Sequence, residues 1–405
     1  MMQRKKKPYV SVVVPLRNSQ ENVGELISSL KAQDYGRDNF EIILVGNIDD
    51  QTWQAVDLDD PQIQVYEVEL PEDPWFGRDA NLKRNVGWHM AKGKVVIFTD
   101  AKIRQPPDWI RKAIALMNRE NVRSVAGEMV ATPESERTFM GIFTDHALIR
   151  RNPAFGPGYK LTKNNFGDRE SLPITATWAI EKDALSEVAE KINKQVTVTI
   201  KVVKTQESYQ ITLSIVLNID FRDSYEDYAT AWELVRHEVN IFVTNAWQVT
   251  HKHRSGYWRV FLEYARSARG AGQMVATYED CPFAVRRERQ VKLVMRTLSF
   301  GLGTVLGTLV SWLFFQSEIA GLFVMLMAAV ILISTFTLGT INIAKVYKGL
   351  HRVYLPAFVY PVMTIMFIFW FAVSFVIKLQ EGGGKPTSNR WLQTMWSLLL
   401  RSLNP

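Results

Sequence analysis

Three polar clusters stand directly after apolar runs. Pro15-Leu16-Arg17-Asn18 follows VSVVV, Gly46-Asn47-Ile48-Asp49-Asp50 follows FEIILV, and Asp100-Ala101-Lys102 follows KVVIFT. Arginine and lysine bring cations to phosphate oxygens, and aspartate accepts hydrogen bonds or ligates a hard metal ion. Two more clusters lie downstream: the adjacent carboxylates Glu226-Asp227, and His251-Lys252-His253-Arg254. Taken alone, Glu226-Asp227 is ordinary helix-start charge, which the macrodipole favours. A lone surface histidine is usually only that, but His251-x-His253 beside Arg254 suits contact with a phosphate.

The elements that must position these clusters alternate in type. Tyr9–Pro15 reads as a buried strand, Glu21–Gln33 as a helix, Phe40–Val45 and Gln62–Val68 as strands, Ala80–Ala91 as a helix, Lys94–Thr99 as a strand and Pro107–Asn118 as a helix. Such alternation predicts a parallel sheet covered on both faces. Ligands of such sheets bind beyond the carboxyl ends of the strands, where the three clusters fall, so their convergence predicts a nucleotide pocket. Val196–Val203 and Tyr209–Phe221 alternate apolar and polar residues around a turn at Thr205–Ser208. That is a hairpin signal, read here as structural. Between Phe139 and Leu172, Arg150, Arg151, Lys160, Lys163 and Arg169 mix with Asn, Gly and Pro, as a lid or a surface linker would.

The length of 405 residues predicts two or three domains. The single cysteine, Cys281, excludes an internal disulfide framework. Thr297–Ser317, Ile319–Ala344 and Val353–Ile377 hold no Asp, Glu, Lys, Arg or His, and each is long enough to span a bilayer. Arg286, Arg287, Arg289, Lys292 and Arg296 precede the first run, and Lys345, Lys348 and Arg352 lie between the second and third. The positive-inside rule then places the head in the cytoplasm. Lys385, Arg390 and Arg401 follow the third run and count against three spans. After Gly382-Gly383-Gly384, the spacing of Trp391, Leu392, Met395, Leu398 and Leu399 predicts an interfacial helix. The basic start, MMQRKKK, has no apolar core after it and is not read as a secretory signal. GLGTVLG at Gly301–Gly307 follows no strand, so it reads as helix packing rather than a phosphate loop.

The order of these motifs resembles the family 2 glycosyltransferases with the GT-A fold. VSVVVPLRNSQENVGELISSLKAQDY with FEIILV is similar to the family's opening. KRNVGWHMAKGKVVIFTDAKIRQPPDWI is similar to its arginine-asparagine helix and acidic metal motif, and TATWAIEKDAL to its acceptor-side segment. YEDYATAWELVRHEVNIFVTNAWQVTHKHR resembles the Glu-Asp helix, the next strand and the histidine loop, and RSARGAGQ the basic segment after it. The resemblance covers about Tyr9–Gln273. It implies an α/β head that transfers a sugar, with inversion, from a nucleotide-sugar donor to an acceptor hydroxyl. It also implies that Pro15, Arg17, Asn18, Asp49, Arg84, Asp100, Lys102, His251 and Arg254 border the donor and that Asp227 beside Glu226 is the general base; the family's Mg²⁺ or Mn²⁺ ion would fall to Asp100 and His251, a requirement that Lys102 leaves open.

The chain departs from the family's pattern at three places. The paired aspartates expected directly after the second strand are Gly46 and Asn47, with Asp49 and Asp50 following. The last acidic residue of the metal motif is Lys102, and an ammonium cannot ligate a cation. Either Lys102 itself faces the leaving diphosphate, or Asp100 holds a metal with His251 or His253, or the site has decayed. The hairpin over about 190–222 is the third departure. Expected domains are a cytoplasmic head over 1–285, a membrane region over 286–378 and a tail over 379–405. The expected partners are a nucleotide sugar, a lipid-linked saccharide or polysaccharide acceptor and the lipid bilayer, with no nucleic acid. The rival readings are a degenerate scaffold head and a processive synthase, though the latter's Q-x-x-R-W motif is absent.

Overall fold

The computed structural model describes residues 7–48, 50–69, 79–132, 158–167, 173–221 and 224–251, with short pieces between 270 and 285. The chain divides into two compact units, Met1–Val260 and Phe261–Pro405. The three uncharged runs, the tail helix, Asp49 and Arg254 lie outside the described residues, as do His253 and most of the Phe139–Leu172 loop. Among the described residues no helix is long and apolar enough to cross a membrane.

The first unit is built on one mixed sheet. Its strands are β1 (Val10–Pro15), β2 (Phe40–Asn47), β3 (Ile63–Val68), β4 (Val95–Thr99), β5 (Ile103–Arg104), β6 (Ser124–Ala131), β7 (Tyr159–Leu161), β8 (Thr177–Glu181), β9 (Gln195–Val202), β10 (Ser208–Ser214) and β11 (Ile241–His251). The order is β10-β9-β3-β2-β1-β4-β8-β6-β11-β5, with β7 on β11. The helices are α1 (Gln20–Lys31), α2 (Ala80–Met90), α3 (Trp109–Glu120), α4 (Lys182–Ile192) and α5 (Glu226–Arg236). Val10, Val12, Val13 and Val14 are wholly buried, which accounts for an uninterrupted β-branched run at the centre of the sheet. In α1, the predicted face of Val23, Leu26, Ile27 and Leu30 is the buried one.

The parallel expectation holds for β3-β2-β1-β4 and for the pair β6-β11, but not for the whole sheet. β8 runs antiparallel between β4 and β6, and β9 antiparallel to β3. The antiparallel β8 matters for the site: Thr177 pairs with Thr99, so the residues just before β8 reach the edge where Asp100 leaves β4. β2 also runs further than predicted. Gly46 and Asn47 belong to the strand, paired with Glu67 and Val68, and are not a loop. Gly46 is required there because a Cβ would stand 2.3 Å from Cζ2 of Trp53.

The predicted hairpin is present and extends the sheet through β9 on β3. Its second strand stops at Ser214 rather than Phe221. Beyond it, the backbone is taken by a side chain. Asn85 Oδ1 accepts from Val216 N and Leu217 N, both at 3.2 Å, and Asn85 Nδ2 donates to Leu217 O at 2.7 Å.

α2 is the unusual helix. Every residue from Asn81 to Trp88 is buried, including Lys83, Arg84, Asn81 and Asn85. A Cβ on Gly87 would lie 2.2 Å from Val13 Cγ1, so glycine lets α2 press onto β1. Buried polar side chains must find partners, and those of α2 organise the site.

Candidate active site

The carboxyl edges of β1, β2 and β4 meet as predicted. Val13 pairs with Phe98, so Pro15 and Asp100, each two residues on, leave the sheet at one level. Pro15 is half-buried, whereas Arg17 and Asn18 are exposed on this edge. Asn18 takes φ +46, a left-handed turn that asparagine tolerates.

Asp50 joins the β1 and β2 loops from below. Its carboxylate accepts from Asn18 N at 3.1 Å, Thr52 N at 2.9 Å and Thr52 Oγ1 at 2.5 Å. It is buried and caps the short 3-10 helix Gln51–Ala55. Asp50 is therefore spent on holding the β1 and β2 loops together. Lys83, which the sequence did not single out, completes this side. Its ammonium donates to Leu16 O at 2.6 Å and lies 2.6 Å from Asp79 Oδ2. Burial lowers its pKa, against the pull of Asp79 and Asp50, and Arg17 adds to the lowering.

Arg84 does not border open space as a donor-binding residue would. It is 3% exposed. Nη2 donates to Asp100 Oδ1 at 2.6 Å and Nη1 to Asn81 Oδ1 at 2.8 Å. Burial opposes its charge, but Asp100, Asp227 and Glu226 outweigh burial and raise its pKa. Asp100 itself remains more than a third exposed, and Lys102 is exposed on the same turn.

Asp227 and Glu226 open α5. Tyr225, just before them, is a buried residue at φ +72, a conformation costly for a bulky side chain. Thr175, reaching this edge because β8 is antiparallel, donates to Asp227 Oδ1 at 2.7 Å. Asp227 is half-buried as a residue, and the pKa of its carboxyl is pushed up to about 7. Desolvation is the largest cause, followed by Glu226. Arg84 and the Thr175 hydrogen bond hold it back, and Asp100 adds to the rise. Such a group can take a proton near neutral pH.

His251 ends β11 opposite Ile103 of β5, half-buried. Among the described residues no three His, Cys, Asp or Glu side chains gather as a metal site. At the β4 edge the donor set is one carboxylate, already bound to Arg84, with the Lys102 ammonium two residues on. A hard divalent cation takes six or more oxygens, and this set does not fit one held by protein carboxylates.

Thus Pro15, Arg17, Asn18, Asp100, Lys102, Glu226 and Asp227 fall at or beside one edge, whereas Arg84 lies beneath it. Asn81, Lys83 and Thr175 were not singled out, and Asn85 stood only as part of the arginine-asparagine helix. For those on α2 the signal was the density of Lys, Arg and Asn in a helix that also presses a glycine onto β1.

Residues 11–189 match the model of Glycosyl transferase family 2. Glycosyltransferase AglE of Haloferax volcanii is 25% identical over 155 residues, 36% of this chain and 50% of that protein. Poly(ribitol-phosphate) beta-N-acetylglucosaminyltransferase TarS of Staphylococcus aureus is 28% identical over 112 residues, 27% of this chain and 19% of that protein. The chain thus spans half or less of the curated relatives it matches. Among solved structures, the mannosyltransferase PcManGT of Pyrobaculum calidifontis, in complex with GDP-Man and Mn²⁺, superposes with a TM-score of 0.54 at 17% identity, covering 92% of this chain and 88% of that one. The likeness shows a shared fold, a mixed α/β sheet of the GT-A-like kind, and the stretch that matches the Glycosyl transferase family 2 model, residues 11–189, carries most of that sheet.

Proposed function

We propose that the chain is an inverting glycosyltransferase with Asp227 as its base. The acceptor hydroxyl oxygen bonds to the anomeric carbon of the donor sugar from the face opposite the diphosphate. The bond from that carbon to the diphosphate oxygen breaks, and the hydroxyl proton passes to Asp227. The nucleoside diphosphate leaves. A sugar hydroxyl is a weak nucleophile until its proton is drawn away. The observation that carries this reading is the Asp227 carboxyl, tuned to about 7 beside the Asp100 edge.

The donor is a nucleotide sugar lying over the β1, β2 and β4 edges, with Arg17 and Lys102 as exposed cations toward its phosphates. Lys102 supplies positive charge to the departing diphosphate, in the role an ammonium can take toward phosphate oxygens. The acceptor is a lipid-linked saccharide or a polysaccharide. The three uncharged runs support a head held at the cytoplasmic face of a membrane, as do the basic residues before the first and after the second. TarS acts, by its name, on a polymer of ribitol phosphate.

A thermal-shift screen against UDP-, GDP-, CMP- and dTDP-sugars, with and without Mn²⁺, tests the donor reading, because a ligand that binds the folded state raises apparent stability. One nucleotide class should shift the transition. No shift with any of them would instead favour a scaffold head.

A further inference from the structure

A single line of hydrogen bonds runs from the donor edge to the helix that carries the base. Arg84 Nη2 donates to Asp100 Oδ1 at 2.6 Å, and Arg84 Nη1 to Asn81 Oδ1 at 2.8 Å. Asn81 Nδ2 donates to Asn218 O at 2.8 Å. Thr230 Oγ1 accepts from Asn218 N at 3.1 Å and donates to Glu226 O at 2.8 Å. Asn85, one turn along α2, donates to Asn81 O at 2.8 Å and grips residues 216 and 217. Asn81, Arg84, Asn85 and Thr230 are all nearly inaccessible to solvent, so each of these bonds lies where an unmade one is expensive.

The chemistry of the links is specific. Two asparagines at i and i+4 share one face of α2. An asparagine offers a donor and an acceptor at once, so Asn81 bonds the guanidinium on one side and the 218 carbonyl on the other. Only the guanidinium end of the line carries charge.

We propose that Arg84 is a positioning residue that ties Asp100, at the donor edge, to the carboxyl of Asp227, with Asn81, Asn218 and Thr230 holding the start of α5 at a fixed place relative to that guanidinium. Arg84 acts through Asp227 and does not touch the substrate. Among the described residues, the charged groups facing Asp227 are Glu226, Arg84 and Asp100, and Thr175 is its hydrogen-bond donor. Arg84 is the cation of that group, and Asp100 draws on it. A change at Asp100 therefore reaches Asp227 through a side chain that no bulk solvent screens.

This inference rests on Asp227 as the base, but its test does not require turnover. The melting temperature of the full chain is measured from pH 5 to 9, with and without Asp227→Asn in each background. The pH at which the difference inflects reports the proton affinity of Asp227. Arg84→Gln removes the cation and keeps an amide for Asn81 and Asp100. Its inflection should rise by about one pH unit or more, the usual effect of an opposite charge on a carboxyl, and Arg84→Lys should restore most of it. Asp100→Asn, at an exposed position, leaves Arg84 undivided and removes a negative charge, so the inflection should fall. An unmoved inflection in Arg84→Gln overturns the proposal. If that variant does not fold, an inflection in Asp100→Asn that stays or rises overturns it.

Turnover separates the two readings. Thr230→Val breaks the line without altering charge. It should lower kcat about tenfold and leave the donor KM alone, and an equal loss in both would make the line merely structural. If the parent transfers no sugar from any donor while the inflections move as stated, the base reading fails and the coupling stands.

Discussion

Asp227 owes its proton affinity to where α5 begins. A helix start alone would favour the ionised carboxylate, but desolvation and Glu226 push the other way and win. Asp227→Asn should keep donor binding and lower turnover by about 10²–10⁴, the usual range for a lost general base. In the parent, kcat should rise with pH through about 7 as the carboxylate forms, and that rise should be absent from the residual activity of the variant. Stability should move oppositely. The folded chain holds a proton that the unfolded chain releases near the ordinary aspartate pKa, so this stabilisation is full below that pKa and is lost progressively as pH climbs from there through about 7. Asp227→Asn should therefore raise the melting temperature more at pH 8 than at pH 5. Lys102 makes a separate prediction. With one carboxylate and an ammonium on the β4 turn, transfer should persist in EDTA and fall at least tenfold in Lys102→Ala. Activity abolished by EDTA and untouched in Lys102→Ala would return the charge-stabilising role to a metal.

Helices and strands with strong periodicity were legible before any coordinate. VSVVV, FEIILV and KVVIFT are strands because β-branched and aromatic residues fill both faces of a buried sheet, and their polar ends meet as the parallel arrangement requires. The position of β8 was not legible. Nothing in TATWAIE states its direction, yet its antiparallel course brings Thr175 to Asp227. The end of β10 was hidden for a different reason: the alternating pattern continues past Ser214, but a side chain from α2 takes the backbone groups. Periodicity reports which face is buried, not which partner satisfies a backbone group. Gly46 shows the converse. Its departure from the family pattern invited a functional reading, and the structure gives a packing one, since the Trp53 ring occupies the space of a side chain. Gly46→Ala should cost about 1–3 kcal/mol, as overpacking does, measured as a lower midpoint in denaturant.

The whole chain combines this head with a region whose character rests on sequence alone. Three runs without a charged residue sit close together, with basic residues before the first and after the second; Lys385, Arg390 and Arg401 also follow the third and count against a third span. The turn between the first two runs, Gln316-Ser317-Glu318, has none. Lysine and arginine are retained on the cytoplasmic side during insertion, so if these runs span a bilayer, that asymmetry favours the proposed topology with the head facing the cytoplasm. It also agrees with the proposed chemistry. A nucleotide sugar is charged and does not cross a bilayer, because burying its phosphates in hydrocarbon is prohibitive. The donor and the exposed cations at Arg17 and Lys102 must therefore share a compartment. Protease added to sealed right-side-out vesicles should leave the segment from Tyr9 to Gln273 intact, and inverted vesicles should lose it. Cleavage of that segment from the outer face would reverse the topology and would require a donor supplied outside the cell.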